Sequence, residues 1–188
     1  MAEITRADLI LALVSGGFVP DSVHGPRLRG VDLSRLDLSG LDLSGADLGG
    51  ADLSDTNLHN ATLTAANFTD ANLEDADLTD ANLCEATFTN ARMKKAKLVN
   101  AAALRANFEM AWLEDVDFSG SDLERSSFPG ANLTNADLSD ADVTKADFRG
   151  AILDGIDVDS LENFEQARWD APETEEGDVY NHPQEWDK

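Results

Sequence analysis

Among its 188 residues the chain holds a single cysteine, Cys84, so it has neither a disulfide framework nor a thiolate set for a metal. Histidine is nearly as scarce, and His24, His59 and His182 stand too far apart in sequence to suggest a joint site. The longest unbroken apolar run, Leu9 to Val14, is too short to cross a bilayer. It is also a poor secretory leader, because Glu3 and Asp8 occupy the place of a basic segment. No glycine loop cradles a phosphate, no nucleophile sits beside a base, and nothing in the pattern asks for a cofactor. Basic residues are outnumbered, 14 to 37, for a net charge of −23. Phosphate binding needs a basic face, so direct nucleic-acid binding is not expected. These absences predict a cytoplasmic, non-enzymatic protein with no catalytic, cofactor or metal residues and no membrane partner.

What is present is a period. From Leu28 to Val158 every residue whose number ends in 3 or 8 is Leu, Phe, Met, Val or, once, Ala, a run of 27 pentads without a slip of phase. Five matches neither the 3.6 of a helix nor the 2 of a strand. The written unit is a small residue, Asp or Asn, Leu or Phe, then two polar residues, as in Ala71-Asn72-Leu73-Glu74-Asp75. If the central residue and the small residue two before it point inward, each pentad becomes one side of a coil.

The phenylalanines count the sides. Phe68, Phe88, Phe108, Phe128 and Phe148 recur every twenty residues, which places them in one column only if four pentads close a circuit. At about 4.8 Å per coil such rings stack face to face in the offset manner that aromatics favour. Phe118 alone lies off the column. The second inward position is Ala in most pentads, with Thr56, Val116, Ser121 and Ser126 as exceptions and the bulkier Val31, Leu36, Leu41 and Ile156 near the ends. Gly40, Gly45, Gly50, Gly120, Gly130, Gly150 and Gly155 close their pentads and suit a turn with positive φ.

The run A(D/N)LXX resembles the pentapeptide-repeat family over roughly residues 26–160. The resemblance implies an all-β solenoid, a right-handed quadrilateral β-helix. Its pentad count gives about seven coils and a rod of about 32 Å. Residues 1–25 read as an N-terminal capping helix and linker, with Thr5-Arg6-Ala7-Asp8 as a capping box and the helix over residues 5–16. Residues 161–188 read as a C-terminal cap and acidic tail. There Asp159 and Glu162 cap a short helix carrying Leu161, Phe164 and Ala167, ended by Trp169 and Pro172, and Tyr180 and Trp186 are candidates to dock on the rod. Helices at both ends would leave no strand edge for end-to-end stacking.

Charge along the repeat is banded. Residues 26–85 carry −9, residues 86–108 carry +5 and residues 109–160 carry −10. Stacking places Asp117, Asp137 and Asp157 in one column, and Asp122 with Asp142 in another. The middle band gathers Arg92, Lys94, Lys95, Lys97 and Arg105 with outward Val99 and Leu104, and Met110 and Trp112 just beyond. Arg92 and Trp112 share one outward slot on adjacent coils and are placed for a cation–π contact. Two readings of the belt stand. It is a salt-bridging band that ties two acidic halves together, or it is a partner site, since Trp, Met and Arg are typical interface anchors. Cys84 reads as a solvent-facing thiol, its thiolate disfavoured by Glu85. The carboxylate columns lack the glycine-rich signature of calcium-binding β-rolls.

The resulting expectation is a rigid acidic scaffold, monomeric or homodimeric, that binds an unidentified protein. The alternative comes from the resemblance: some family members imitate duplex DNA and bind DNA gyrase or topoisomerase IV in its place. Net repeat charge of −14 over the rod is about one charge per 2.3 Å, comparable with about 1.7 Å of axis in duplex DNA. The basic belt interrupts that polyanion, and no loop insertion of the gyrase-protecting kind breaks the phase. In style the repeats look more like bacterial, notably cyanobacterial, members without an assigned role.

Overall fold

The computed structural model describes residues 25–169. The expected N-terminal helix, His24, Pro172, Tyr180, His182, Trp186 and the acidic tail all lie outside them. Each pentad makes one isolated parallel bridge, and from Arg27↔Asp47 to Asn132↔Ile152 the partner is always the residue twenty further on. The cross-section is therefore four-sided. We name the faces by their central residues: A holds Phe68 to Phe148, B Leu33 to Leu153, C Leu38 to Leu138 and D Leu43 to Val143.

One pentad accounts for all of its backbone donors. In Ala71–Asp75, Asn72 N–H donates to Ala51 O of the preceding coil, while Leu73 N–H and Asp75 N–H donate to Arg92 O and Lys94 O of the following one. Ala71 N–H closes the corner onto Phe68 O. The fourth residue has no backbone acceptor, and its N–H goes instead to Asn72 Oδ1 at 3.3 Å. Buried or half-buried amides need such partners, so the Asp or Asn of the motif is a folding device. All eighteen Asp or Asn residues at this position, from Asp32 to Asp157, make the same bond to the N–H two residues on.

Each corner ends in the left-handed region. Every fifth residue from Gly30 to Gly155 has φ between 53° and 80°. Glycine was the expected occupant, yet most of these corners are not glycine. Asp and Asn, which tolerate this region best among other residues, take many of them, including Asp55, Asn60, Asp75 and Asn100. Ala65, Met110 and Arg125 also adopt it. Coil-to-coil bonds force the conformation whatever the side chain.

The central residues from Leu28 to Leu153 are all buried, and the small second position seals the corners. Its polar exceptions are satisfied: Thr56 Oγ1 donates to Leu33 O, Ser121 Oγ to Phe118 O and Ser126 Oγ to Leu123 O. The phenyl column forms as expected, with centroids 4.7–4.9 Å apart and planes within 4°. Phe118, from face C, meets Phe108 and Phe128 edge-on at 5.6 and 6.1 Å.

The C-terminal end differs from expectation. In place of one short helix there are two 3-10 turns, Val158–Ser160 and Phe164–Gln166. Asp157, not Asp159, caps the first, accepting from Asp159 N–H, and Asn163 precedes the second without a side-chain cap. Asp157 is drawn into that cap and makes no bridge to Asp137, so the column of Asp117 and Asp137 ends there. Glu162 bridges Asp142 and Arg168 bridges Asp147, so coiling continues past residue 160. One extra residue enters between these bridges. That insertion carries Trp169 onto Phe148, where it stacks at 4.7 Å and 6° as the last ring of the column. Its Nε1–H is satisfied by Phe164 O at 3.2 Å.

Candidate protein-interaction surface

The belt residues are contiguous in sequence but not in space. Arg92 lies on face B, Lys94 and Lys95 on the corner from B to C, and Lys97 on face C. Leu104 and Arg105 occupy the corner from D to A, diagonally opposite Lys94 and Lys95. Met110 sits on the corner from A to B, beside Trp112 on face B. A flat partner reaches one face and its corners, so the structure brings together Arg92, Lys94, Lys95, Met110 and Trp112 and sets Leu104 and Arg105 apart.

The belt cations interleave with acids from neighbouring coils. Arg92 Nε is 3.8 Å from Glu74 Oε1 and Lys94 Nζ is 3.9 Å from Asp115 Oδ2, on the N-terminal and C-terminal sides respectively. Arg105 Nη1 is 3.5 Å from Glu85 Oε1. These pairs are exposed and individually weak, about 0–1 kcal/mol. Arg92 and Trp112 are bridge partners as expected, but the guanidinium turns to Glu74 rather than stacking on the indole.

A second feature marks the belt. At Thr87, Arg92, Lys97 and Ala102, four successive pentads give up the Asp or Asn that closes the corner; Thr62 does so singly before them, and Trp112 and Ile152 after. Ser127 also departs from the pattern, but Pro129 two residues on has no N–H to satisfy. Large exposed hydrophobic side chains gather near the later departures: Met110, Trp112 and Ile152 are 53%, 58% and 45% exposed. Trp112 and Ile152 stand in one column of face B, separated by Asn132. Ile152 escaped the sequence reading because it lies forty residues from Trp112, although the period of twenty places it in that column.

The same period shows that charge is also divided by face. Over residues 26–158, face C with its two corners carries thirteen acidic and four basic side chains, whereas face A with its corners carries six of each. Some of the turn aspartates are held in their ionised form by their own turns. Asp42 is shifted below the usual carboxylate range by the Ser44 hydroxyl and then by the Ser44 N–H. Asp52 is lowered by the N–H and then the hydroxyl of Ser54. At Asp77 and Asp142 burial is the largest single influence and acts upward, but it is outweighed by the bonds from Thr79 and Thr144 together with Lys97 and His59 near the first and Asn163 near the second.

Among the described residues no group of His, Cys, Asp and Glu is placed to hold a metal. Cys84 is half-buried, its Sγ 3.8 Å from Ala102 O, and His59 Nε2 faces Asp80 at 3.9 Å. No helix of the described residues is long and apolar enough to cross a membrane.

Pentapeptide repeats, in eight copies, match residues 27–64, 66–101 and 117–155. The chain belongs to the pentapeptide-repeat family. Membership carries with it the right-handed sense of the quadrilateral β-helix. No curated protein matches the chain. Similar solved structures include a pentapeptide repeat protein from the Arabidopsis thaliana thylakoid lumen, 31% identical over 61% of this chain and 69% of that one, with a TM-score of 0.38. QnrB1, a plasmid-mediated fluoroquinolone resistance protein, is 20% identical over 78% and 91%, with a TM-score of 0.41. HetL of the cyanobacterium Nostoc sp. strain PCC 7120, involved in heterocyst differentiation regulation, is 22% identical over 83% and 93%, with a TM-score of 0.21. At these TM-scores the likenesses bear on neither partner nor function.

Proposed function

We propose that this pentapeptide-repeat rod is a non-catalytic scaffold that binds another protein through face B and its two corners. The observation that carries the reading is the grouping of Met110, Trp112 and Ile152, the exposed large hydrophobics of the described residues, on this one side of an otherwise polar rod. Arg92, Lys94 and Lys95 flank them and supply the polar rim of an interface. Lys97 stands one face further round, and Leu104 and Arg105 are not part of this surface. The test is Trp112→Ala with Lys94→Glu in the full chain. Affinity capture from the native host should lose a partner that the parent chain retains, while the melting temperature stays nearly unchanged. Equal capture by parent and variant refutes the assignment to this face.

A second reading rests on the acidic excess of face C, whose Asp117–Asp137 ladder presents carboxylates at coil spacing. In that reading the rod occupies the DNA site of gyrase or topoisomerase IV. Purified protein would then inhibit supercoiling or protect it from a quinolone at micromolar concentration. No effect in either assay removes the reading for that enzyme.

A further inference from the structure

Arg105, Arg125 and Lys145 are separated by twenty residues each and stack on the corner from D to A. All three are exposed, and all three hold φ of 58–59°, where glycine or asparagine is the less strained choice. On the diagonally opposite corner Lys95 has an acid on each adjacent coil, Asp75 and Asp115. On this ridge the cations follow one another, with Glu85 before the first and Glu124 beside the second. Lys145 makes no ion pair among the described residues. At about 4.8 Å per coil the ridge runs about 10 Å and places like charges side by side, an arrangement that an anionic partner would relieve.

The ridge borders face A, whose outward residues over these three coils, Asn107, Ser127 and Asp147, are half-buried; the first two are uncharged, and the Asp147 carboxylate is held by Arg149 and Arg168. Across that floor the opposite corner holds Glu109 and Met110, then Pro129 and Gly130, then Arg149 and Gly150; Met110 lies over Gly130, its Sδ 2.5 Å from where a Cβ on that glycine would stand. Face A is thus a polar channel with a cationic wall on one side and Met110 and Pro129 on the other. It is also the one side of the rod without an acidic excess.

The described chain ends at Trp169 on the Phe148 ring, at the C-terminal mouth of this channel. Residues 170–188 contain seven acids and one base, and among them Tyr180 and Trp186. We propose that this acidic segment docks in cis along face A, its carboxylates on Arg105, Arg125 and Lys145 and an aromatic ring against Met110 and Pro129. Reach is ample, since the ten residues from Asp170 to Val179 span about 33 Å when extended, against about 14 Å of channel over three coils. Charge favours this face over the others: faces C and D carry an acidic excess, and face B with its corners carries ten acids against six bases over residues 26–158.

The experiment is zero-length carbodiimide cross-linking of the full chain, mapped by mass spectrometry on an equimolar mixture of light and isotope-labelled protein. The expected products join Lys145 to carboxylates of residues 170–187 within one isotope form, and they fall several-fold in Arg105→Glu/Arg125→Glu, which keeps Lys145 and the fold. They should also fall in 1 M salt, where the screening length shrinks to about 3 Å. Circular dichroism and melting confirm that the variant is folded. Links to the segment that are as frequent at Lys94 and Lys95 as at Lys145, or that survive the double substitution unchanged, overturn the proposal. Mixed light–heavy links as the main product overturn docking in cis and assign the channel to a second copy.

Discussion

Replacing Phe108 with Ala tests the packing of the whole rod. The ring is fully buried, stacked at 4.9 Å on both Phe88 and Phe128, and met edge-on by Phe118 at 5.6 Å. Loss of a buried Phe side chain costs about 3–5 kcal/mol through lost transfer energy and the cavity left behind. Aromatic pairs contribute about 0.5–1.5 kcal/mol each beyond their area. Collapse into the hole is opposed by the backbone ladder, because Phe88 N–H to Asn107 O and Phe108 N–H to Ser127 O, at 2.6 and 2.7 Å, hold the coils at fixed spacing. We therefore expect a loss near the upper end, about 5 kcal/mol. Phe108→Leu should cost less, about 1–2 kcal/mol, since leucine fills the same slot on the other faces. Urea denaturation followed by far-UV circular dichroism measures both. A loss below about 1 kcal/mol for the alanine variant would mean that the column is not packed as described.

Substitutions at two positions test the corners. Asp52→Ala removes the acceptor for the Ser54 N–H and should cost about 1 kcal/mol, whereas Asp52→Asn keeps it and should be nearly neutral at pH 7. Because the folded-state pKa of Asp52 is lowered from its ordinary 3.8, its ionised form stabilises the fold above that value, and the contribution is lost as pH falls through the lower folded value. Acid titration of stability should accordingly be shallower in Asp52→Asn; an unchanged acid limb refutes the role given to Ser54. Ala65 holds φ of 56°, so Ala65→Gly exchanges a left-handed cost of about 1–2 kcal/mol for a glycine entropy cost of about 0.5–1 kcal/mol. A modest rise in melting temperature is expected, and a fall would show that the corner does not impose strain.

Fold and surface were legible to different depths. The interval between phenylalanines sufficed for the square circuit, because only a four-pentad turn aligns Phe68 to Phe148. The end of the coil was not legible, since a single inserted residue between Glu162 and Arg168 breaks the numbering rule that had held from Leu28. Trp169 therefore read as a helix terminator although it is the sixth ring of the column. The belt was visible as a run of bases, but a run in sequence wraps around the rod, and Lys94 and Arg105 end on opposite corners. The ridge of Arg105, Arg125 and Lys145 is the converse case: scattered in sequence, it is one feature in space. Counting charge by position modulo twenty, rather than by stretch, recovers it.

The acidity of the rod needs the same separation of causes. Asp and Asn both accept the corner N–H, so the fold asks for an acceptor whether or not it is charged. Asn has an added use, because its amide donates to the Asp one coil before: Asn57 to Asp37 at 3.0 Å, Asn67 to Asp47 at 3.1 Å and Asn72 to Asp52 at 3.0 Å. Where Asp stands over Asp, as at Asp117–Asp137 and Asp122–Asp142, that bond is replaced by repulsion of about 1 kcal/mol. Asp137→Asn should then stabilise the rod by about 0.5–1 kcal/mol, read from the urea midpoint. If it does, the carboxylate at that place is held against the preference of the fold, and an effect of the same variant on gyrase supercoiling would give that charge a function. If the variant is instead less stable than the parent, a favourable interaction holds the two aspartates together, and acidity on face C is no sign of mimicry.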